Sequence, residues 1–396
     1  MDDNINNDNH TGGKKQKRDK HKKQKTMDFL NTMDKDKFME SFASKCPDNL
    51  YIPAILPVQS RVVVLGDIHG DMELAVKMLK VTGVAKGETI DTLSWCGGTT
   101  YVVQVGDQID RCRPIGNMLC GNSKTTYNDE ASDIKILKLY TNLHKQAVRE
   151  GGAVVSLLGN HEIMNALGHL DYVSHDGLKE FENYTDPQNP SKTFSSGKEA
   201  RAHAFRPGNE FGKYLGCTRL PAVIIGSNIF VHAGIVDGLI RQVGLSGIND
   251  FETINKAIRG WLLGLLGTDY VKEIIDSSKY SMFWTRILGK IPPNVSLDNE
   301  ICSSHISDVL KMFNVGGIII GHTPQSFIYS DDINATCGNK VWRVDNGSSA
   351  AFNRFDKEFL NTGHTSSSRR VQYLEILNDK VYNICDESGC KKPVKF

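Results

Sequence analysis

Five short, β-branched apolar runs punctuate this chain, and each ends on side chains able to hold a cation or move a proton. The runs are RVVVL (61–65), YVVQV (101–105), AVVSLL (153–158), NIFV (228–231) and VGGIIIG (315–321), followed directly by GDIH, GDQIDR, GNHE, HAG and GHTP. Continuous apolar runs of this length read as strands covered on both faces. Between the first three lie helical patterns. Met72 to Thr82 carries Leu74, Met78 and Leu79 on one face, and Ser132 to Glu150 carries Ile136, Leu137, Tyr140, Leu143 and Ala147 before stopping at Gly151 and Gly152. Strands alternating with helices predict a layered α/β sheet. Two further pairs, AVII with NIFV and VQYLEIL with KVYNI, read as antiparallel hairpins, the second turning at Asn378 and Asp379. They predict a second sheet packed on the first.

Residues 1–45 read as a disordered basic tail and 46–396 as a single domain, with an insertion over one end of the sheets at about 165–220 and a mostly helical segment at about 237–312. WLLGLL within that segment reads as a buried stripe. Residues 14–25 hold eight Lys or Arg against one Asp and no apolar side chain, so they have nothing to bury in exchange for ordering. Such a run predicts a solvated tail, with a nuclear-import patch, a polyanion tether or a packaging tag for a larger assembly as its functional readings. Over the whole chain 47 basic and 46 acidic residues nearly cancel, which excludes a charge-driven case for nucleic acid or membrane. No apolar run approaches 18 residues, so neither a membrane span nor a signal peptide is expected. The nine cysteines are odd in number and scattered, which predicts mostly reduced core residues in an intracellular protein. Cys112 with Cys120 and Cys385 with Cys390 are the pairs spaced to cross-link or to hold a metal.

The residues after the five runs sit at strand carboxyl ends, where open α/β sheets bind ligands. Collected, they are Asp67, His69, Asp107, Asn160, His232 and His322. Carboxylate, amide and imidazole together suit Mn, Fe or Zn better than an all-oxygen magnesium cage. Glycines precede Asp67, Asp107, Asn160 and His322, and a residue without Cβ lets the chain turn sharply beneath a metal.

In this order, GDIHGD, GDQIDR, GNHE, HAG and GHTP resemble the signature of the phosphoprotein phosphatase class of metallophosphatases, over residues 60 to about 355. Residues 129–173, DEASDIKILKLYTNLHKQAVREGGAVVSLLGNHEIMNALGHLDYV, are similar to the Shewanella-like protein phosphatases. The resemblance implies a calcineurin-like metallophosphatase fold, two packed mixed β-sheets flanked by helices in an αββα sandwich. It implies two divalent ions bridged by Asp107, with Asp67 and His69 completing one site and Asn160, His232 and His322 the other. His161 would protonate the leaving oxygen, held by Asp110, with Arg111 on the phosphate and Glu162 in support. Arg206 and Arg286 stand where related sequences also carry arginines. Asp345 and Asn346 would orient a ligating histidine or form a simple turn. Two departures remove no ligand: Cys112 follows Arg111 where the family usually has Gly, and Ala233 follows His232 where it often has Gly. The Cys112 thiol predicts sensitivity to oxidation. The Ser-Ala-Pro-Asn-Tyr segment of the common eukaryotic Ser/Thr phosphatases is absent from the sequence.

The expected activity is hydrolysis of phospho-Ser, phospho-Thr or phospho-Tyr in a protein or peptide, without nucleic acid. A hydroxide shared by the metals would attack and His161 would supply the proton. A dinucleoside polyphosphate hydrolase is the alternative, because the diadenosine tetraphosphate hydrolases have a similar metal core. A non-catalytic scaffold recruited through the basic tail is the third reading.

Overall fold

A computed structural model describes residues 35–329, 332–353 and 370–391. In chain order its strands are β1 (Ile55–Leu56), β2 (Arg61–Leu65), β3 (Ala85–Lys86), β4 (Ser94–Trp95) and β5 (Tyr101–Gln104). They continue with β6 (Ala153–Leu157), β7 (Arg219–Leu220), β8 (Ala222–Ile225), β9 (Asn228–Val231) and β10 (Gly317–Ile320). The last are β11 (Asn334–Thr336), β12 (Val341–Arg343), β13 (Tyr373–Leu377), β14 (Val381–Asp386) and β15 (Gly389–Cys390). Two mixed sheets result, one ordered β15-β14-β13-β2-β5-β6-β7 and the other β1-β8-β9-β10-β12-β11, with β3 and β4 as a separate ribbon. All five apolar runs are strands, and both expected hairpins form, β8 with β9 and β13 with β14.

The β-branched runs are mostly apolar because both faces are covered; polar exceptions such as Gln104 and Ser156 are buried and hydrogen-bonded. Val62, Val64, Val103 and Val155 belong to the core shared with the second sheet. Their neighbours Val63, Leu65, Val102 and Val154 pack with Leu74, Met78, Leu79, Ile136 and Leu143 of the helices Met72–Val81 and Asp133–Arg149. Successive side chains point to opposite faces of a strand, so a polar residue inside these runs would sit in one core or the other. Fully burying each such side chain is worth about 1.5–3 kcal/mol. On the far side, the helices Asp237–Val243, Ile248–Leu262 and Glu300–Phe313 fill the segment expected to be helical. The WLLGLL stripe is interrupted there, since the helix ends at Leu262 and Gly264 takes φ of 74°.

Three expectations are corrected. Part of the supposed tail is folded: Lys35–Lys45 is a helix whose Phe38 and Phe42 are buried against Leu263 and Cys217. The guanidinium of Arg259 lies 4.7 Å from the ring centroids of Phe42 and Tyr51, a cation–π arrangement that anchors the helix. The basic run 14–25 lies outside the described residues. Second, the cysteines are not mostly reduced. Cys46–Cys217, Cys112–Cys120, Cys302–Cys337 and Cys385–Cys390 are disulfides, and Cys96 is free and exposed. The first pair is separated by 171 residues, and only docking of the N-terminal helix brings it together. Disulfides persist in oxidising surroundings, so the cysteines no longer favour an intracellular setting. Third, Cys112 carries no free thiol to oxidise, being bonded to Cys120; of the two readings offered for that pair and for Cys385 with Cys390, the cross-link is the one both pairs adopt. Among the described residues no helix is long and apolar enough to cross a membrane.

Candidate metal centre and active site

Parallel pairing of β2, β5 and β6 puts three strand tips side by side, with Leu65 opposite Gln104 and Gln104 opposite Ser156. Asp67, Asp107 and Asn160 therefore leave the first sheet together. In the second sheet β9 and β10 pair in parallel and deliver His232 and His322. The two tips are joined directly: His232 Nδ1 lies 2.9 Å from Val105 O, and Gly321 N donates to His232 O. The helix Asn160–Leu167 begins at the tip of β6, so His161 stands on its first turn.

Asp107 is the hub. Its Oδ2 lies 3.3 Å from His232 Nε2 and 3.8 Å from both His69 Nε2 and His161 Nε2. Ligand atoms of Asp107 with His69 and His161, and of Asp107 with His232 and His322, lie within 4.8 Å of one another in each trio. Asp67 Oδ2 is 3.8 Å from His69 Nε2 and accepts from His322 N at 3.1 Å, while Asn160 Oδ1 is 2.9 Å from His232 Nε2. The six motif residues thus converge, and His161, expected as a proton donor, is itself a member of the first trio.

Several features fit a pair of cations here. Asp67, Asp107 and Asp345 are buried, and among the described residues no Lys or Arg forms an ion pair with Asp67 or Asp107. Buried carboxylates without compensation are costly. Among the described residues, His69 Nδ1 and Asp345 Oδ2 are buried with no hydrogen-bond partner. Burial pushes the Asp67 carboxyl well up, and Asp345 and Asp107 push it further. Burial holds His69 and His322 well down, helped by Arg113 and Arg286 respectively, so both imidazoles keep a lone pair for a metal. His322 Nε2 lies 3.2 Å from Trp284 O, which favours the tautomer with Nδ1 bare.

Backbone strain collects at the same place. His69, Asp107, Asp110 and His322 take φ of 50°, 51°, 74° and 66°, a region that costs a non-glycine residue about 1–3 kcal/mol. The glycines serve close approach as well as turning: a Cβ on Gly159 would run into Asp107 Oδ1, and one on Gly321 into Asp67 Oδ1. Glu162 lies under the hub, its carboxylate accepting from the N–H groups of Asp107, Gln108 and Gly159 at 3.0, 2.8 and 2.6 Å. Burial and the nearby Asp107 raise its pKa to about 7.

His161 Nδ1 is 2.8 Å from Asp110 Oδ2, and Asp110 also accepts from Asn165 Nδ2. Behind this pair lies Arg201, fully buried, bonded to Asn165 Oδ1 at 2.9 Å, Asp133 Oδ2 at 2.7 Å and Gly177 O at 3.2 Å. Sequence reasoning passed over Arg201, because nothing in a polar insertion distinguishes a buried Arg from a surface one.

The centre opens into a cleft of about 560 Å³. Arg286 lines it and donates to His322 O at 2.9 Å. Two expected phosphate ligands are placed elsewhere. Arg206 is exposed at the end of the helix Gly197–Phe205, away from the cleft lining. Arg111 is turned to Asp71, Nη1 to Oδ2 3.3 Å, and lines a different cavity, its Nε and Nη1 buried without a hydrogen-bond partner among the described residues. Arg113 lines the cleft instead. Asp345 Oδ1 accepts from Gly347 N, so the turn is real, while its other oxygen has no partner among the described residues.

The family profile for calcineurin-like phosphoesterases matches residues 60–326. An uncharacterized protein of Acanthamoeba polyphaga mimivirus is 39% identical over 254 residues, 61% of this chain and 95% of that one. Shewanella-like protein phosphatase 2 of Arabidopsis thaliana is 28% identical over 353 residues, 82% of this chain and 80% of its own. The crystal structure of a cold-active protein-tyrosine phosphatase from a psychrophilic Shewanella superposes with a TM-score of 0.59 at 19% identity, covering 87% of this chain and 83% of that one. The chain belongs to the calcineurin-like phosphoesterase family, whose members work with divalent metal ions, and its relatives include the Shewanella-like protein phosphatases.

Proposed function

We propose that this phosphatase hydrolyses phosphomonoesters on protein side chains, phospho-Ser, phospho-Thr or phospho-Tyr, at the Asp107-centred cleft. Asp67, His69 and Asp107 would hold one divalent ion, and Asp107, Asn160, His232 and His322 the other. Such ions activate water at neutral pH and steady both entering and departing oxygens of an in-line displacement. Around them the chain's own groups orient the ester and handle the proton. Asp110 accepts the Nδ1 proton of His161 and fixes the ring, and the second proton of the imidazolium, on Nε2 toward the cleft, passes to the leaving oxygen. Asn165 and Arg201 hold Asp110 in turn. Arg286, at the cleft wall beside His322, supplies positive charge for the phosphoryl oxygens.

The observation that carries the reading is the 2.8 Å His161–Asp110 hydrogen bond beside the Asp107 hub. The lining favours an ester over a dinucleotide. Of the 165–220 segment only Tyr172 lines the cleft, and it already contacts His161, with ring centroids 5.0 Å apart; no pair of rings from that segment is set to sandwich a base. Trp284, Phe327 and Phe352 complete an aromatic wall, which suits a phosphotyrosyl ring. The test is a panel of phosphoseryl, phosphothreonyl and phosphotyrosyl peptides against diadenosine tetraphosphate, with metal-loaded protein. The reading expects peptides to release phosphate, phosphotyrosine fastest. Preferential cleavage of the dinucleotide would overturn it.

A further inference from the structure

Resting on that reading, we infer that Arg113, rather than Arg111, is the guanidinium that takes the substrate phosphate, and that the Cys112–Cys120 disulfide is the positioning element that holds it there. The two arginines, two residues apart, line separate cavities. Arg111 is 5% exposed and shares a space of about 380 Å³ with Asp71, Lys77 and Glu130. To reach the metal cleft it would have to leave Asp71, whose carboxylate also caps the helix Met72–Val81 and accepts from Ala350 N.

Arg113 stands among the groups that the reaction uses. Its guanidinium carbon is 4.7 Å from the Phe352 ring centroid and 5.5 Å from that of Tyr172. Those rings in turn lie 5.4 Å from His69 and 5.0 Å from His161, centroid to centroid. The planar group is therefore flanked by two aromatic rings one side chain away from a proposed metal ligand and the proposed proton donor. Aromatic flanking suits guanidinium far better than ammonium. The hydrogen bonds that Arg113 donates among the described residues leave from Nη1 alone, to Cys112 O at 2.7 Å and Asp110 O at 3.2 Å. Nε and Nη2 remain for two phosphate oxygens, the fork geometry that binds phosphate most firmly.

The loop that carries Arg113 is closed at several points. Cys112 is fully buried, its N–H donates to Tyr172 O, and its sulfur is bonded to Cys120. Inside the ring Ile115 and Met118 exchange two backbone hydrogen bonds at 3.1 and 2.9 Å. Pro114 follows, which restrains Arg113 to an extended backbone. These constraints pre-orient the side chain before substrate arrives, so little freedom is lost on binding.

The experiment uses metal-loaded full chain, a phosphotyrosyl peptide, and inorganic phosphate as competitive inhibitor. Arg113→Ala should raise the inhibition constant of phosphate by about 10- to 100-fold, the loss of a charged hydrogen-bonding group, and raise KM for the peptide in step. Arg113→Lys, which keeps charge and bulk, should recover only part of this. Arg111→Lys should raise the phosphate constant less than Arg113→Lys does. Cys112→Ser with Cys120→Ser should mimic Arg113→Ala, and adding Arg113→Ala to that pair should change the phosphate constant no further, since coupled residues are not additive. Removing the Cys385–Cys390 bridge by serines should leave the constant alone. An active wild type whose Arg113→Ala and Arg113→Lys variants bind phosphate within about twofold of normal, or whose Arg111→Lys variant is hit harder, overturns the assignment alone. A wild type that hydrolyses no phosphate ester overturns the functional reading and this assignment with it.

Discussion

Replacing Arg201 with Met removes the charge beneath the His161–Asp110 pair while keeping an apolar stem of similar reach. Arg201 has no solvent exposure and its Nη2 is 2.7 Å from Asp133 Oδ2 and 3.6 Å from Asp110 Oδ1. Removing one member of a buried ion pair costs about 3–5 kcal/mol, because the partner is left charged and unpaired. Among the described residues, Asp133 would keep only the Asp110 N–H donor, at 3.2 Å. The loss should depend on pH. Burial raises the Asp133 pKa against the pull of Arg201, so the folded state binds its proton more tightly than the unfolded chain does. For such an acid, stability is intact below the unfolded value of about 3.9 and declines as pH rises through the folded one. Arg201→Met lifts the folded value further, so the gap between variant and wild type should be small near pH 4 and full at neutrality. Urea unfolding followed by circular dichroism at several pH values reads this directly, and kcat should fall as well, since Arg201 also positions Asn165 and Asp110. A loss under about 1 kcal/mol at neutral pH, or one that does not change with pH, would refute the reasoning.

Three further outcomes are expected. His161→Asn should slow esters of poor leaving groups far more than an activated aryl phosphate, measured as a kcat ratio; equal losses would count against a proton donor. His144 Nδ1 accepts from Val154 N, and burial, then the Arg219 charge, lower its pKa to about 4; the neutral ring therefore contributes stability above pH 6.5 that is lost as pH falls toward 4. With partial solvent access that contribution is about 2 kcal/mol, and His144→Gln should remove this step from the stability profile, whereas an unchanged profile contradicts it. Alkylation of unfolded but unreduced protein should label one cysteine of nine, Cys96, and a mass shift for several labels would contradict the four bridges.

The strands were legible because positions in a strand covered on both faces favour apolar side chains, and Val62 to Leu65 show that demand residue by residue. The two-residue strands Ile55–Leu56 and Arg219–Leu220 offer no period to detect. Phe38 and Phe42, one turn apart on a helix, were hidden by the lysine-rich stretch before them. At the site, Asp67, His69, Asp107, Asn160, His232 and His322 could be collected because each follows a strand, so parallel pairing within each sheet and the joining of the two sheets' tips bring them together. Arg111 could not be placed that way. Its ion pair with Asp71 and the Cys112–Cys120 bridge beside it are set in three dimensions. Arg201 and the Cys46–Cys217 bridge depend on packing between distant segments, which no local pattern encodes.

The central claim is a shared carboxylate between two cations, and metal content measured by mass spectrometry on reconstituted protein tests it most directly. Wild type should hold about two divalent ions per chain, and Asp107→Asn should lose both together with phosphatase activity, because both trios share that carboxylate. A variant that keeps two ions and normal turnover would contradict the account.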